Sequence, residues 1–151
     1  MSELKDRLRA DLTGAIRARD EVTTATLRMA LAAISTEEVA GSSARQLSDD
    51  EVLKVLARES KKRREAADAF GSAGRAELAE RERAEGSVLE RYLPAQLSDA
   101  EVGELVAAAI AETGASGMQQ MGAVMRVAQQ KAAGRADGKR LSTEVRRQLT
   151  G

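Results

Sequence analysis

The residues with the clearest chemical potential in this chain lie in one short segment, Gly134-Arg135-Ala136-Asp137-Gly138-Lys139-Arg140-Leu141-Ser142. Its two glycines allow the backbone N–H groups to turn toward one point. Its arginines and lysine supply charge for a phosphate or a carboxylate. The segment therefore predicts an anion-binding loop, with Asp137 as its internal brace and Ser142 as the cap of a following helix. The alternative interpretation is a helix C-cap and linker whose cations are only solvated.

Positive charge is concentrated at this end of the chain. Lys and Arg number 24 and Asp and Glu number 24, so the net charge is zero and no global field attracts polyanions. Residues 126–151, in contrast, contain seven Lys or Arg against two acids, a surplus of five. We therefore expect nucleic-acid phosphate to be bound here, and the candidate residues are Arg126, Lys131, Arg135, Lys139 and Arg140.

The residue types that are missing limit the chemistry. The sequence has no His and no Cys, which excludes Ser-His and Cys-His nucleophiles and argues against zinc, haem and iron–sulfur sites. We expect no cofactor, no metal and no catalytic residues, and hence no autonomous enzyme. One Tyr, one Phe and no Trp leave little for nucleic-acid bases to stack on, which favours recognition of backbone and shape.

A second basic patch is the run Lys61-Lys62-Arg63-Arg64. One interpretation is a solvated helix face balanced by Glu59, Glu65 and Asp68. The other is a phosphate contact made by Lys61, Lys62 and Arg63.

Arg64 is predicted to have a separate, structural role. At helical periodicity it shares an otherwise apolar or small-residue face with Leu56 and Ala67, and Glu82 and Glu85 share a face of the next helix. We expect Arg64 to pair with Glu82 or Glu85 and to fix the register of a helical hairpin. A paired-carboxylate acid–base site is the alternative, but a nearby arginine would hold both carboxylates ionised.

The elements that position these residues are all predicted to be helical. Capping boxes at Ser48–Glu51 and Ser98–Glu101 begin two helices, Gly71–Gly74 forms a turn, and Pro94 ends a helix. No segment alternates as a strand does. We expect a four-helix bundle-like domain over residues 1–94 and a small three-helix domain over residues 98–151. The predicted inward stripes include Leu4, Leu8, Leu12 and Ile16 in the first helix, Leu78, Glu82, Glu85, Leu89 and Tyr92 in the fourth, and Met118, Met121, Met125 and Ala128 in the sixth.

The chain has no apolar run of membrane-spanning length, and its N-terminus is charged from the start. With the absence of cysteine, this predicts a cytoplasmic protein that does not act at a membrane.

Several segments together resemble the YqeY family. They are Leu27–Ile34, Lys61–Glu65, Ala73–Arg75, Leu89–Pro94, Met121-Gly122 and Gly134–Lys139, and they occur in the family's order along nearly the whole chain. The family is similar to the tail region of the B subunit of glutamyl-tRNA(Gln)/aspartyl-tRNA(Asn) amidotransferase. The resemblance implies a two-part helical fold and tRNA, or another structured RNA, as partner. It also implies carbon–nitrogen ligase activity with glutamine as amido donor, an activity of the complete amidotransferase.

Three functional hypotheses follow. The first is an RNA-binding accessory module, acting alone or with an aminoacyl-tRNA synthetase or an amidotransferase component. The second is a protein–protein adaptor that docks on such a partner through its methionines and basic end. The third is an amidotransferase-like activity in trans.

Overall fold

The computed structural model describes residues 2–151, and every regular element in that range is helical. The seven α-helices are α1 (Glu3–Arg17), α2 (Glu21–Glu38), α3 (Asp49–Ser72), α4 (Ala76–Glu90), α5 (Asp99–Thr113), α6 (Met121–Ala132) and α7 (Gly138–Thr150), and a 3-10 helix, Met118–Gln120, precedes α6. The predicted all-α class is confirmed. None of the helices in residues 2–151 has the length and apolarity needed to cross a bilayer.

The chain divides into two compact units. The N-terminal unit contains α1 to α4 and ends at Leu93, and the C-terminal unit, Pro94–Gly151, contains α5 to α7.

Both predicted capping boxes are present. Ser48 and Ser98 accept hydrogen bonds from the backbone N–H groups of Glu51 and Glu101, and the two glutamates accept in return from the backbone of the serines. Each box satisfies N–H groups that have no partner within the helix, which is why α3 and α5 begin where the sequence predicts.

The core of the N-terminal unit is built from aliphatic side chains of all four helices. Leu8, Leu27, Ile34, Leu56 and Leu89 are fully buried. Two predicted core positions are wrong, because Ile16 is 48% exposed and Leu78 is 39% exposed. Ala15 and Ala79 are buried instead. A helix rotated by one residue brings these small side chains inward, where they allow closer packing.

The C-terminal unit has its own core, in which Val102, Val106, Val124, Leu141 and Val145 are buried. The predicted methionine stripe is only partly inward: Met121 and Met125 pack half-buried against this core, and Met118 is 40% exposed. Met118 lies in the 3-10 helix, so it does not continue the face of α6.

Residues 95–97, which lie between the two predicted domains, are hydrogen-bonded within the C-terminal unit. The backbone N–H of Leu97 donates to the carbonyl of Arg135 at 2.8 Å, and Nε of Arg135 donates to the carbonyl of Ala95 at 2.8 Å. These bonds join the segment before α5 to the loop between α6 and α7.

Candidate nucleic-acid interface

The predicted anion loop is shorter than the sequence suggested, because α7 begins at Gly138 and not near Ser142. Asp137 caps the helix, and its Oδ1 accepts from the backbone N–H of Arg140 at 2.8 Å. Asp137 therefore braces the turn as expected, whereas the cap predicted for Ser142 is wrong. The hydroxyl of Ser142 donates to the carbonyl of Lys139, inside the helix.

Several backbone N–H groups in and next to this loop donate hydrogen bonds within the chain. Ala133 (φ 49°) and Gly134 (φ 80°) are left-handed and end α6. The N–H groups of Ala133 and Arg135 donate to the carbonyls of Gln129 and Ala132, and Leu141 donates to Asp137. These three N–H groups donate within the chain, the first two as backbone N–H groups do at a helix C-cap.

Three of the five candidate cations hold partners within the C-terminal unit. Arg135 is bonded to the Ala95 carbonyl. Arg140 Nη2 lies 3.0 Å from Oδ1 of Asp99, and Lys131 Nζ lies 2.9 Å from Oε2 of Glu112. The remaining two, Lys139 and Arg126, are exposed and form no ion pair within residues 2–151.

Two exposed cations, Lys139 and Arg146, share one face of α7, which we call the α7 outer face. It consists of Lys139, Thr143, Arg146 and Thr150, four exposed residues spaced four, three and four positions apart. The opposite side of the helix is buried through Leu141 and Val145. Sequence reasoning missed Arg146 as a site residue because it placed the start of α7 four residues too late; with the start at Gly138, the helical spacing identifies it.

Acidic charge on α7 is confined to Glu144, whose side chain lies beside this face and is mostly covered. Arg147 pairs with this carboxylate, and Nε2 of Gln148 donates to it at 2.8 Å. The hydrogen bond from Arg147, followed by that from Gln148, lowers the pKa of Glu144 to about 2. Glu144 is therefore a fixed, neutralised carboxylate that leaves the α7 outer face positive.

An open depression of about 440 Å³ adjoins the α7 outer face. Its walls come from the first turn of α5 and the first two turns of α7, and its lining residues are Asp99, Val102, Lys139, Arg140, Thr143 and Glu144.

The secondary basic patch is broken up by the fold. Lys61 and Lys62 are exposed and lie 4.0 Å from Glu65 and 3.3 Å from Glu59, as expected for a balanced surface. Arg63 points between α3 and α4, with only 21% of its side chain exposed.

Arg63 occupies the position predicted for Arg64. Its Nη1 lies 3.4 Å from Glu82 Oε2 and 3.7 Å from Glu85 Oε2, whereas Arg64 is exposed. The buried side of α3 includes Val52, Leu56, Glu59 and Ala67, and Arg63 continues this three- and four-residue spacing. Nε of Arg63 and Oε2 of Glu82 are buried without a hydrogen-bond partner among the described residues, so charge holds this cluster more than aligned hydrogen bonds do.

No group of three or more His, Cys, Asp or Glu side chains within residues 2–151 is arranged to hold a metal ion.

A match to the family described as Yqey-like protein spans residues 5–149. The chain belongs to the YqeY family. A comparison with curated proteins found no match.

Four of the six segments that carried the YqeY resemblance lie at helix ends or between helices, and the other two, Leu27–Ile34 and Lys61–Glu65, lie within α2 and α3. Leu89–Pro94 covers the end of α4 and contains Tyr92, whose hydroxyl donates to Oδ2 of Asp11. Gly134–Lys139 contains the left-handed end of α6, the cap of α7 and the first cation of the α7 outer face.

Proposed function

We propose that this YqeY-family chain is an RNA-binding accessory module that contacts the phosphate backbone of tRNA, or of another structured RNA, through the α7 outer face. The observation that carries the proposal is the exposure of Lys139 and Arg146 on one face of one helix, with no ion-pair partner for either within residues 2–151.

The spacing of Lys139 and Arg146 suits contact with the phosphate backbone of an RNA. Lys139 and Arg146 are seven positions apart, which is about 10 Å along a helix. The hydroxyl of Thr143 lies on the same face and adds a neutral hydrogen-bond donor, whereas the hydroxyl of Thr150 donates to the carbonyl of Arg146. A rigid helix fixes these donors in advance, so little ordering is needed when phosphate binds.

The first turn of α7 carries positive charge, whereas the first turn of a helix is stabilised by negative charge. Lys139 and Arg140 lie in its first turn, where the helix dipole disfavours cations by about 0.3–1 kcal/mol each. Helices α1 to α5 all have acidic residues in their first turns. A phosphate held by the side chains of Lys139 and Arg140 would offset this repulsion.

The choice of tRNA rests on the family resemblance. The YqeY family is similar to the tail region of the amidotransferase B subunit, which contacts tRNA. In this proposal the α5–α7 part is a small tail-like domain that binds tRNA in the cytoplasm, and the α1–α4 part is a four-helix domain. Carbon–nitrogen ligase chemistry stays with the full amidotransferase.

The test is a titration of fluorescently labelled bulk tRNA at several salt concentrations. The variant Lys139→Ala/Arg146→Ala should bind several-fold more weakly, and its slope of log affinity against log salt should be shallower by about 1.5, because two phosphate contacts are lost. The matched control is Arg28→Ala/Lys54→Ala, which removes two exposed cations of the N-terminal unit that also lack ion pairs within residues 2–151.

Equal losses in the two double variants would mean that net charge alone drives binding, which contradicts a site on α7. A folded wild-type protein that binds no tRNA would contradict the RNA proposal and favour the adaptor hypothesis, for which the exposed Met118 would be the first residue to substitute.

A further inference from the structure

The carboxylate of Asp99 forms an ion pair with Arg140, in the first turn of α7. Its Oδ1 is 3.0 Å from Nη2 of Arg140, and both residues line the open depression together with Lys139 and Thr143. The side chain of Asp99 is fully exposed, and that of Arg140 is 31% exposed. Water therefore reaches this ion pair, and a ligand approaching the depression meets it.

The fold holds Asp99 in this place. Asp99 is the first residue of α5, directly after Ser98, whose capping box with Glu101 fixes the first turn. Arg140 is fixed likewise, because its backbone N–H is held by Asp137. The contact therefore joins two capped helix starts, and only the Arg140 side chain has to move to break it.

We propose that Asp99 is an intramolecular competitor for the RNA phosphate at Arg140, and that the depression is where that phosphate binds. The inference rests on the proposed RNA-binding function and assigns its regulation to one residue. Carboxylate and phosphate use the same guanidinium donors. A phosphate in the depression would meet Lys139 and Thr143 as well as Arg140, whereas Asp99 engages Arg140 alone among these three.

The competition from Asp99 is weak because its ion pair with Arg140 is exposed to water. Exposed ion pairs contribute little, so a phosphate bound by two cations displaces Asp99 at a modest cost. Asp99 thereby lowers affinity for isolated anions more than for a polymer that contacts the whole α7 outer face. Glu144 also lines the depression but is held by Arg147 and Gln148, so Asp99 is the carboxylate that competes.

The experiment compares Asp99→Asn with Glu104→Gln in the labelled-tRNA titration. Glu104 is an exposed acid on the same helix with no ion pair within residues 2–151, so both variants raise the net charge by one. Asp99→Asn should bind tRNA about two- to fivefold more tightly, and its salt slope should steepen by up to about 0.9. Glu104→Gln should change neither by a comparable amount.

A second comparison isolates the contact. In an Arg140→Ala background, Asp99→Asn should give no gain beyond that of Glu104→Gln, because the group under competition is absent. Asp99→Ala, checked for folding by circular dichroism, should reproduce the gain in the wild-type background.

The outcomes separate the two proposals. If wild type binds tRNA and Lys139→Ala/Arg146→Ala weakens binding, but Asp99→Asn behaves like Glu104→Gln, the competitor role is overturned and the RNA site stands. If a gain from Asp99→Asn persists in Arg140→Ala, the competitor role is also overturned. If wild type binds no tRNA, both proposals fail.

Discussion

The hydroxyl of Tyr92 donates a hydrogen bond of 2.5 Å to Oδ2 of Asp11, joining residues 81 positions apart. Arg7 completes the group, with its guanidinium carbon 4.8 Å from the centre of the Tyr92 ring. Burial, followed by the bond to the Asp11 carboxylate, raises the pKa of Tyr92 well above its usual range. The contact therefore ties the turn that follows α4 to α1.

Replacing Tyr92 with phenylalanine should destabilise the protein by about 1–2 kcal/mol. The ring keeps its packing and its contact with Arg7, so the loss reflects the hydrogen bond to a charged acceptor. Urea unfolding followed by circular dichroism measures the change. Thr13→Val is the control, because it removes an exposed hydroxyl of α1 that bonds only its own helix; equal losses in the two variants would show that the Tyr92–Asp11 bond contributes nothing of its own.

Arg63→Ala should lower the free energy of unfolding by about 2 kcal/mol or more. The substitution leaves Glu82, which is 17% exposed, without the cation between it and α3, and it leaves Glu85, which is 14% exposed, paired with Arg81 but no longer with Arg63. Arg64→Ala, at the next and exposed position, should cost less than about 1 kcal/mol. The denaturant midpoints of the two variants test this difference. A larger loss of stability for Arg64→Ala than for Arg63→Ala would show that Arg64, and not Arg63, is the structural arginine.

Stability should fall in acid partly through Glu144. Its pKa is lowered in the folded state from an ordinary value of 4.5 to about 2, so the carboxylate stabilises the fold above about pH 4.5 and this contribution is lost as the pH falls toward 2. Glu144→Gln should flatten the decline in unfolding free energy between pH 5 and pH 3. Glu104→Gln is the control, and an identical acid profile in the Glu144→Gln variant and wild type would contradict the prediction.

The features that were predictable from sequence are those decided within a few neighbouring residues. Both capping boxes form at Ser48 and Ser98, because a serine and a glutamate three residues later satisfy each other's backbone locally. Neighbouring residues could not show which of Arg63 and Arg64 lies between α3 and α4. Either arginine continues an apolar stripe at spacings of three and four, and only the packing of α4 against α3 selects Arg63.

The candidate site shows the same limit. Asp137 and Ser142 are both good cap residues, and a late start for α7 removed Arg146 from the predicted cations. The partners of Arg135 and Arg140 lie 40 and 41 positions away, at Ala95 and Asp99. Contacts of that range depend on tertiary packing, which sequence spacing does not reveal.

The hydrogen bonds between residues 95–97 and Arg135 also determine where the chain can be cut without loss of structure in the C-terminal unit. A C-terminal fragment that begins at Ser98 would lose the buried Leu97 and both hydrogen bonds to Arg135, and the loop that leads into α7 would lose its anchor. A fragment that begins at Pro94 keeps all three. Cleavage ahead of Pro94 should therefore preserve the structure around the start of α7 in the isolated fragment, whereas cleavage after Leu97 should loosen it.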